Sequence, residues 1–325
     1  MTYSLDELFE HYRLMVLIRR FEEVLAGIFS EGLIGGTSHF CVGQEACAVG
    51  GIAALQPDDL VTSNHRGHGH FLAKGGDTGR IMAELFGKTT GYSAGRGGSQ
   101  HMADFGIGFL GSNGITGGMI PVATGAALTQ KLQHTGKVVL CFFGDGACGN
   151  GSFHEGVNMG AIWDLPVVYF IENNAYAMST PMSQTFRIEE LSRRAEAYGL
   201  PGVTVDGNDY FAVREATGQA VQRAREGRGP SIIEARTYRH CGHSKSDKCE
   251  YRPKGELEWW LARDPLGVMA ERLLACGVTD GQLAAAREQV EEEVAQAVEF
   301  ARQSPEPDAG DVGRGVFATA GLGEA

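Results

Sequence analysis

The chain has 325 residues, 43% of them hydrophobic and 21% charged, which describes an ordinary globular protein with length enough for a large core. A net charge of −12 and the lack of any basic run argue against a nucleic-acid surface. No apolar stretch approaches the length of a membrane span, and the first eight residues are acidic and amphipathic, unlike a secretory leader. Seven cysteines without CxxC spacing suit reduced thiols in a cytoplasm better than disulfides or zinc.

In chain order, Ser4 to Glu7 reads as a capping box opening an amphipathic helix that runs to about Ser30. Leu33 to Cys41 is a glycine-rich loop, Glu45 to Leu55 a small-residue helix, and Leu60 to Ser63 a short strand. Asn64-His65-Arg66-Gly67-His68-Gly69-His70 then reads as a loop, and a helix falls between Lys74 and Gly87. Gly91 to Gly118 is a long glycine-punctuated connection, of a length that inside a compact domain is more often functional than not. A helix of small residues follows from Pro121 to Gln133.

Lys137 to Phe143 is an apolar run that reads as a buried strand ending at the turn Gly144-Asp145-Gly146. The pattern continues with a helix (Asn150 to Trp163), a second buried strand (Pro166 to Glu172) and Asn173-Asn174. Beyond lie a helix from Ile188 to Tyr198, a strand from Gly202 to Asp206, a helix from Tyr210 to Glu226 and a strand from Pro230 to Arg236. Alternating strands and helices predict an α/β fold, with a mostly parallel sheet covered by helices on both faces. A single domain over residues 1–303 is expected, ending in a charged helix from Asp280 to Gln303. A Pro/Gly/Asp-rich tail, 304–325, reads as a flexible end or a partner contact.

Alone, Gly-Asp-Gly is most often a turn and Asn-Asn a polar loop. Together, 29 residues from Asp145 to Asn174, they sit at the ends of two strands joined by a right-handed crossover, and so at one carboxyl edge of the sheet. A carboxylate and a carboxamide are hard oxygen ligands suited to magnesium beside a diphosphate. Gly144 and Gly146 let the backbone approach the phosphates closely. The two Arg/His segments, Asn64 to His70 and Tyr238 to Asp247, also follow strands. Their arginines can clamp phosphate oxygens, and their histidines can move protons. A zinc reading of the first is disfavoured by its arginine.

With these motifs the chain resembles the alpha subunit of the thiamine diphosphate-dependent first component of 2-oxo acid dehydrogenase complexes. The resemblance is to the two-subunit acetoin and pyruvate type. It runs from the Arg19-Arg20-Phe21-Glu22-Glu23 helix to about Arg263. It rests on Gly43-Gln44-Glu45-Ala46, His65 to His70, Gly95 to His101, Gly111 to Ile115, the GDG…NN pair and Gly242-His243-Ser244.

The resemblance implies a thiamine diphosphate-binding fold and a site taken over residue by residue. Asp145, the Asn174 side chain and the Tyr176 carbonyl would hold Mg2+. Gly144, Gly146 and Ala147 would line the diphosphate, with Arg66 and Arg239 neutralising it. Gly114 and Thr116 would offer backbone groups to the aminopyrimidine. His65, where many relatives have tyrosine, would also contact the cofactor. His243 would act beside the reactive carbon as acid/base or hydrogen-bond donor, with His68 as its auxiliary.

The reaction implied is carbon–carbon cleavage of a small-molecule substrate, acetoin or pyruvate, with the two-carbon unit passed to a lipoyl group on an acyltransferase component. The His65-to-His70 wording is closest to acetoin dehydrogenases. Pyruvate dehydrogenase is the alternative, and branched-chain 2-oxo acid dehydrogenases and transketolase-like enzymes are less similar. The glutamate that activates the cofactor's pyrimidine has no match here. In two-subunit relatives the beta subunit supplies it, so an α2β2 heterotetramer is expected. A simple nucleotide-binding module is disfavoured, since there is neither GxGxxG nor a P-loop lysine.

Overall fold

The buried runs pair in parallel into one six-stranded sheet in the computed structural model, which describes residues 3–244 and 246–313. In chain order the strands are β1 (Leu60–Thr62), β2 (Phe109–Gly111), β3 (Val139–Gly144) and β4 (Val167–Asn173). A short hairpin, β5 (Tyr176–Ala177) and β6 (Thr180–Pro181), stands apart from the sheet. β7 (Gly202–Asp206) and β8 (Ser231–Arg236) complete it. Their spatial order is β2-β1-β3-β4-β8-β7. The chain reverses direction across the sheet between β1 and β3, and at such a switch the carboxyl edge opens a crevice for ligands.

Side-chain alternation along the two central strands divides the core in two. Leu140, Phe142, Val168 and Phe170 point to one face, where α1 (Leu5–Ser30), α2 (Glu45–Ile52) and α8 (Tyr210–Arg225) pack. Val139, Cys141, Phe143, Val167, Tyr169 and Ile171 point to the other, towards α5 (Met119–Leu132) and α6 (Gly151–Ile162). The remaining helices are α3 (His68–Ala73), α4 (Thr78–Leu85), α7 (Met182–Thr185), α9 (Glu256–Leu261), α10 (Pro265–Ala275) and α11 (Asp280–Gln303). α11 packs on α1 and α4, far from the carboxyl edge in the chain but on the same core. Among the described residues no helix is long and apolar enough to cross a membrane.

Three local expectations need correction. The Asn64-to-His70 segment is a loop only as far as Gly67; α3 begins at His68, because His68, His70, Phe71 and Leu72 all find buried places. The Gly91-to-Gly118 connection contains β2 and two short 3-10 turns. The helix expected from Ile188 is a 3-10 run, Leu191–Tyr198.

The start of the expected tail packs back on the body. Thr89 donates its N–H to the Pro305 carbonyl at 3.1 Å, Thr90 bonds Ser304 at 2.6 Å, and Lys88 pairs with Glu306. Residues 314–325 lie outside the described residues.

Glu84 organises the glycine-rich connection. Its buried carboxylate accepts from the backbone N–H groups of Ser93 (2.8 Å), Gly95 (2.9 Å), Gly97 (2.7 Å) and Gly98 (3.1 Å). Gly95 has φ +75°, and a Cβ there would collide with the Gly87 backbone, so the loop is held tightly at both levels. Glu84→Gln turns an amide NH2 against two of these donors. It is expected to destabilise the fold by roughly 3 kcal/mol, the scale of two hydrogen bonds to a charged acceptor. A thermal melt superimposable on that of the unaltered protein would show that the loop is held by other means.

Candidate active site

At the carboxyl edge of β1, β3 and β4 lies a cavity of about 270 Å3. Asn64, His65 and Arg66 enter it from the loop after β1, and Thr116 and Gly117 from the turn before α5. Gly144 ends β3 and Asp145 to Ala147 follow it, while Asn174, Tyr176 and Met178 follow β4. His243 closes the rim from the segment after β8. The crossover through α6 thus brings the GDG turn and Asn174 to one wall, as their spacing predicts.

Two oxygens in this wall lack a partner. Asp145 Oδ2 and Asn174 Oδ1 are buried with no hydrogen bond, although interior polar atoms are nearly always paired. Burial pushes the Asp145 carboxyl up to about 6, against the opposing pull of Arg239. A hard divalent cation between the two oxygens would satisfy both and return the carboxylate to its charged form. Tyr176 belongs to the β5–β6 hairpin, which is tied down by its hydroxyl: Tyr176 and Tyr238 both donate to Glu256 Oε2, at 2.7 and 2.8 Å. Its carbonyl already accepts a long bond (3.4 Å) from Arg239 Nη2.

Beside the oxygens stand two buried guanidiniums. Arg66 donates to the carbonyls of Phe40 (2.6 Å) and His243 (2.7 Å). Arg239 donates to the Met178 carbonyl at 3.0 Å. Burial, and then the charge of Arg239, lowers the Arg66 pKa to about 9. An anion lodged between these arginines would remove that penalty. The site therefore offers a cation place and an anion place side by side, which is what a metal-bound diphosphate needs.

His243 lies under both arginines, with Nδ1 3.3 Å from Arg66 and 3.4 Å from Arg239. Burial and the two positive charges lower its pKa to about 4. Asp247 fixes the turn that carries it, accepting from the N–H groups of His243 (2.6 Å) and Cys249 (2.9 Å) and from the Tyr251 hydroxyl (2.7 Å). Burial tends to raise the Asp247 pKa, yet these bonds hold it at about 2.

Nothing in the sequence around His39 points to the site. Its ring packs edge-on against His65 (4.7 Å between centroids) and His243 (4.8 Å), and its Nδ1 meets Gln100 Nε2 at 3.0 Å. Burial, then Arg66, lowers its pKa to about 3, and the same two causes hold His65 well below the usual value. His65 and His243 thus line the cavity, with the His39 ring packed against both.

Two expected site residues lie elsewhere. His68 does not line the cavity: because α3 starts at it, the ring turns into the core. There Nδ1 meets Glu22 at 3.1 Å and Nε2 meets Ser99 Oγ at 2.9 Å. Ser99 in turn bonds Ser38 at 3.0 Å, and Glu22 also accepts from the Cys41 N–H at 3.1 Å. His68 therefore braces the segment carrying His39 rather than facing a substrate. Gly114 is exposed and outside the cavity lining, because Asn113 turns the loop outward by accepting from the Ile115 N–H at 2.6 Å; Thr116, two residues on, does reach the cavity.

Fold and site together define an α/β protein with a cavity of paired charges at the carboxyl edge of its parallel sheet. Residues 13–310 match the family described as the dehydrogenase E1 component, and the chain belongs to that family. Membership implies thiamine diphosphate as the cofactor. The chain is 46% identical over 298 residues to the alpha subunit of acetoin:2,6-dichlorophenolindophenol oxidoreductase of Bacillus subtilis, covering 91% of this chain and 89% of that one. The corresponding subunit from Cupriavidus necator is 43% identical over 309 residues, covering 93% and 91%. The pyruvate dehydrogenase E1 component subunit alpha of Porphyra purpurea is 43% identical over 320 residues, covering 94% and 92%.

Proposed function

We propose that the chain is the alpha subunit of a cytoplasmic thiamine diphosphate- and Mg2+-dependent dehydrogenase. It cleaves acetoin, or as a second reading decarboxylates pyruvate, and passes the two-carbon unit to a lipoyl group on an acyltransferase component. The observation that carries this reading is the pair of unpartnered buried oxygens, Asp145 Oδ2 and Asn174 Oδ1, beside the guanidiniums of Arg66 and Arg239. Acetoin stands first because the 46% relative acts on it; the pyruvate relatives follow closely.

Bound thiamine diphosphate supplies a carbon nucleophile and an electron sink; the protein supplies position and electrostatics. Asp145, Asn174 and the Tyr176 carbonyl hold the cation. Gly144 and Gly146 keep side chains away from the phosphates, and Arg66 and Arg239 balance their charge. His243, with Nδ1 turned to the arginines, offers Nε2 to the oxygen of the substrate carbonyl. His39 and His65 pack on its ring and limit its rotation. Phe143 and Met178 contribute apolar surface that excludes water.

Among the described residues the one glutamate lining the cavity, Glu172, is already engaged by Gln44 and Asn64. Glu45 is bound to Arg19 at 2.6 Å, and Glu155 is exposed on α6. A beta subunit would supply the glutamate that activates the pyrimidine and cover the exposed loop around Gly114, giving an α2β2 assembly. Coexpression with a beta chain, followed by assays of acetoin, pyruvate and branched-chain 2-oxo acids with an artificial electron acceptor, is the test. The pair is expected to turn over acetoin or pyruvate and the isolated chain neither. Full turnover by this polypeptide alone would overturn the subunit reading.

A further inference from the structure

Asn174 presents its amide oxygen to the cavity, although the two ends of a carboxamide have nearly the same shape and differ only in donating or accepting. The neighbours of Asn174 decide the choice. Its Nδ2 donates to Gln44 Oε1 at 3.2 Å. Gln44, buried at the head of α2, donates through Nε2 to Glu172 Oε1 at 3.1 Å. The other oxygen of Glu172 accepts from Asn64 Nδ2 at 3.2 Å, and His70 Nε2 lies 3.2 Å from Oε1.

A carboxylate can only accept. Gln44 must therefore turn its NH2 to Glu172 and its oxygen to Asn174. Asn174 must then turn its NH2 to Gln44, which leaves its oxygen for the cavity. The polarity of Glu172, itself on the cavity lining, is passed through two amides to the Asn174 oxygen.

We infer that Gln44 is a positioning residue that sets the amide orientation of Asn174, so that an oxygen and not an NH2 faces the cation. This rests on the reading above that Asp145 and Asn174 hold the metal. Gln44 itself does not line the cavity. Gly43 keeps it in register, since φ is +96° there and a Cβ would collide with the Tyr238 carbonyl.

The test measures the Mg2+ concentration needed for half-maximal thiamine diphosphate binding by the purified α–β assembly, without turnover. Gln44→Leu keeps the volume but removes the polarity. It is expected to raise the Mg2+ requirement by roughly 10-fold or more, the usual effect of removing a partner that orients a metal ligand.

Asn174→Asp carries two equivalent oxygens and has no orientation to lose. With Asp at 174, the Gln44 oxygen faces a carboxylate oxygen, so adding Gln44→Leu should cost nothing or lower the Mg2+ requirement. An equal loss in both backgrounds, which a merely structural role would give, overturns the inference, as does no loss beside Asn174. If Gln44→Leu fails to assemble, Gln44→Met, unbranched and of the same reach, takes its place. Asp145→Ala serves as the control on the underlying reading. If it binds cofactor normally, the metal site is wrong; if it fails while Gln44→Leu binds normally, only the role of Gln44 is wrong.

Discussion

Asp145→Ala is expected to abolish Mg2+-dependent binding of thiamine diphosphate while leaving the ligand-free protein as stable as before. The loss should exceed the roughly 10- to 100-fold caused by removing an outer partner of a ligand, because here the charged ligand itself goes. The stability expectation follows from the pKa. Burial raises the Asp145 carboxyl from 3.8 to about 6 in the folded chain, so between those values the folded state holds more protons than the unfolded one. Stability linked to this group is full below the unfolded value and declines as pH rises through about 6. At pH 7.5 the empty site thus carries a destabilising charge, and alanine removes it. A melt of the ligand-free variant should match or exceed that of the unaltered chain, and the rise in Tm that cofactor and Mg2+ confer should vanish. Asn174→Ala should act in the same direction more weakly, since a neutral ligand balances less charge. Calorimetry showing unchanged cofactor affinity for Asp145→Ala would refute the metal assignment.

The cavity wall that carries Asp145 and Asn174 is legible in the sequence because its parts are local to two strand ends. Apolar runs of strand length before Gly144 and Asn173, with a helical stretch between them, are enough to place Asp145 and Asn174 on one edge. Arg66 and Arg239 are found by the same rule, each just beyond a strand. The long amphipathic helices α1 and α11 are equally plain, since their burial repeats at helical spacing over many residues. Three short elements are not plain. β2, α3 and α9 have too few residues for a period, and tertiary burial decides their state.

The same limit hides partners that come from afar. His39 has no histidine near it in the chain, and meets His65 and His243 only after folding. The Glu22–His68 contact joins residues 46 apart, so a histidine that looks like part of an Arg/His loop is in fact a brace in the core. Gln44 stands in a motif that the sequence shows clearly, yet the direction of its amide depends on Glu172, 128 residues away. Residue types at strand ends can be read from sequence; the donor–acceptor order behind them needs the packed structure.

His243→Ala is expected to lower turnover of the α–β assembly by roughly 100-fold or more, the loss typical of a positioned acid or base, with cofactor affinity little changed. Affinity should hold because the arginines and the metal ligands keep the diphosphate, and the imidazole contributes no charge to it at neutral pH. In the ligand-free chain His243 titrates near 4 because it is buried and faces Arg66 and Arg239. Between that value and the ordinary 6.5, the unfolded chain binds the proton that the folded chain refuses. Ligand-free stability therefore falls as pH drops through that window. A diphosphate between the arginines compensates the charges that hold the imidazole down, so loading the cofactor should move the pKa of His243 upward, towards the range in which it can trade protons with a substrate oxygen. Histidine-labelled NMR of the assembly, with and without cofactor, reads this directly. A resonance that titrates at the same pH in both states, or a His243→Ala variant of normal turnover, would remove His243 from the chemistry. His39, which packs edge-on against its ring, would then be the next imidazole to replace.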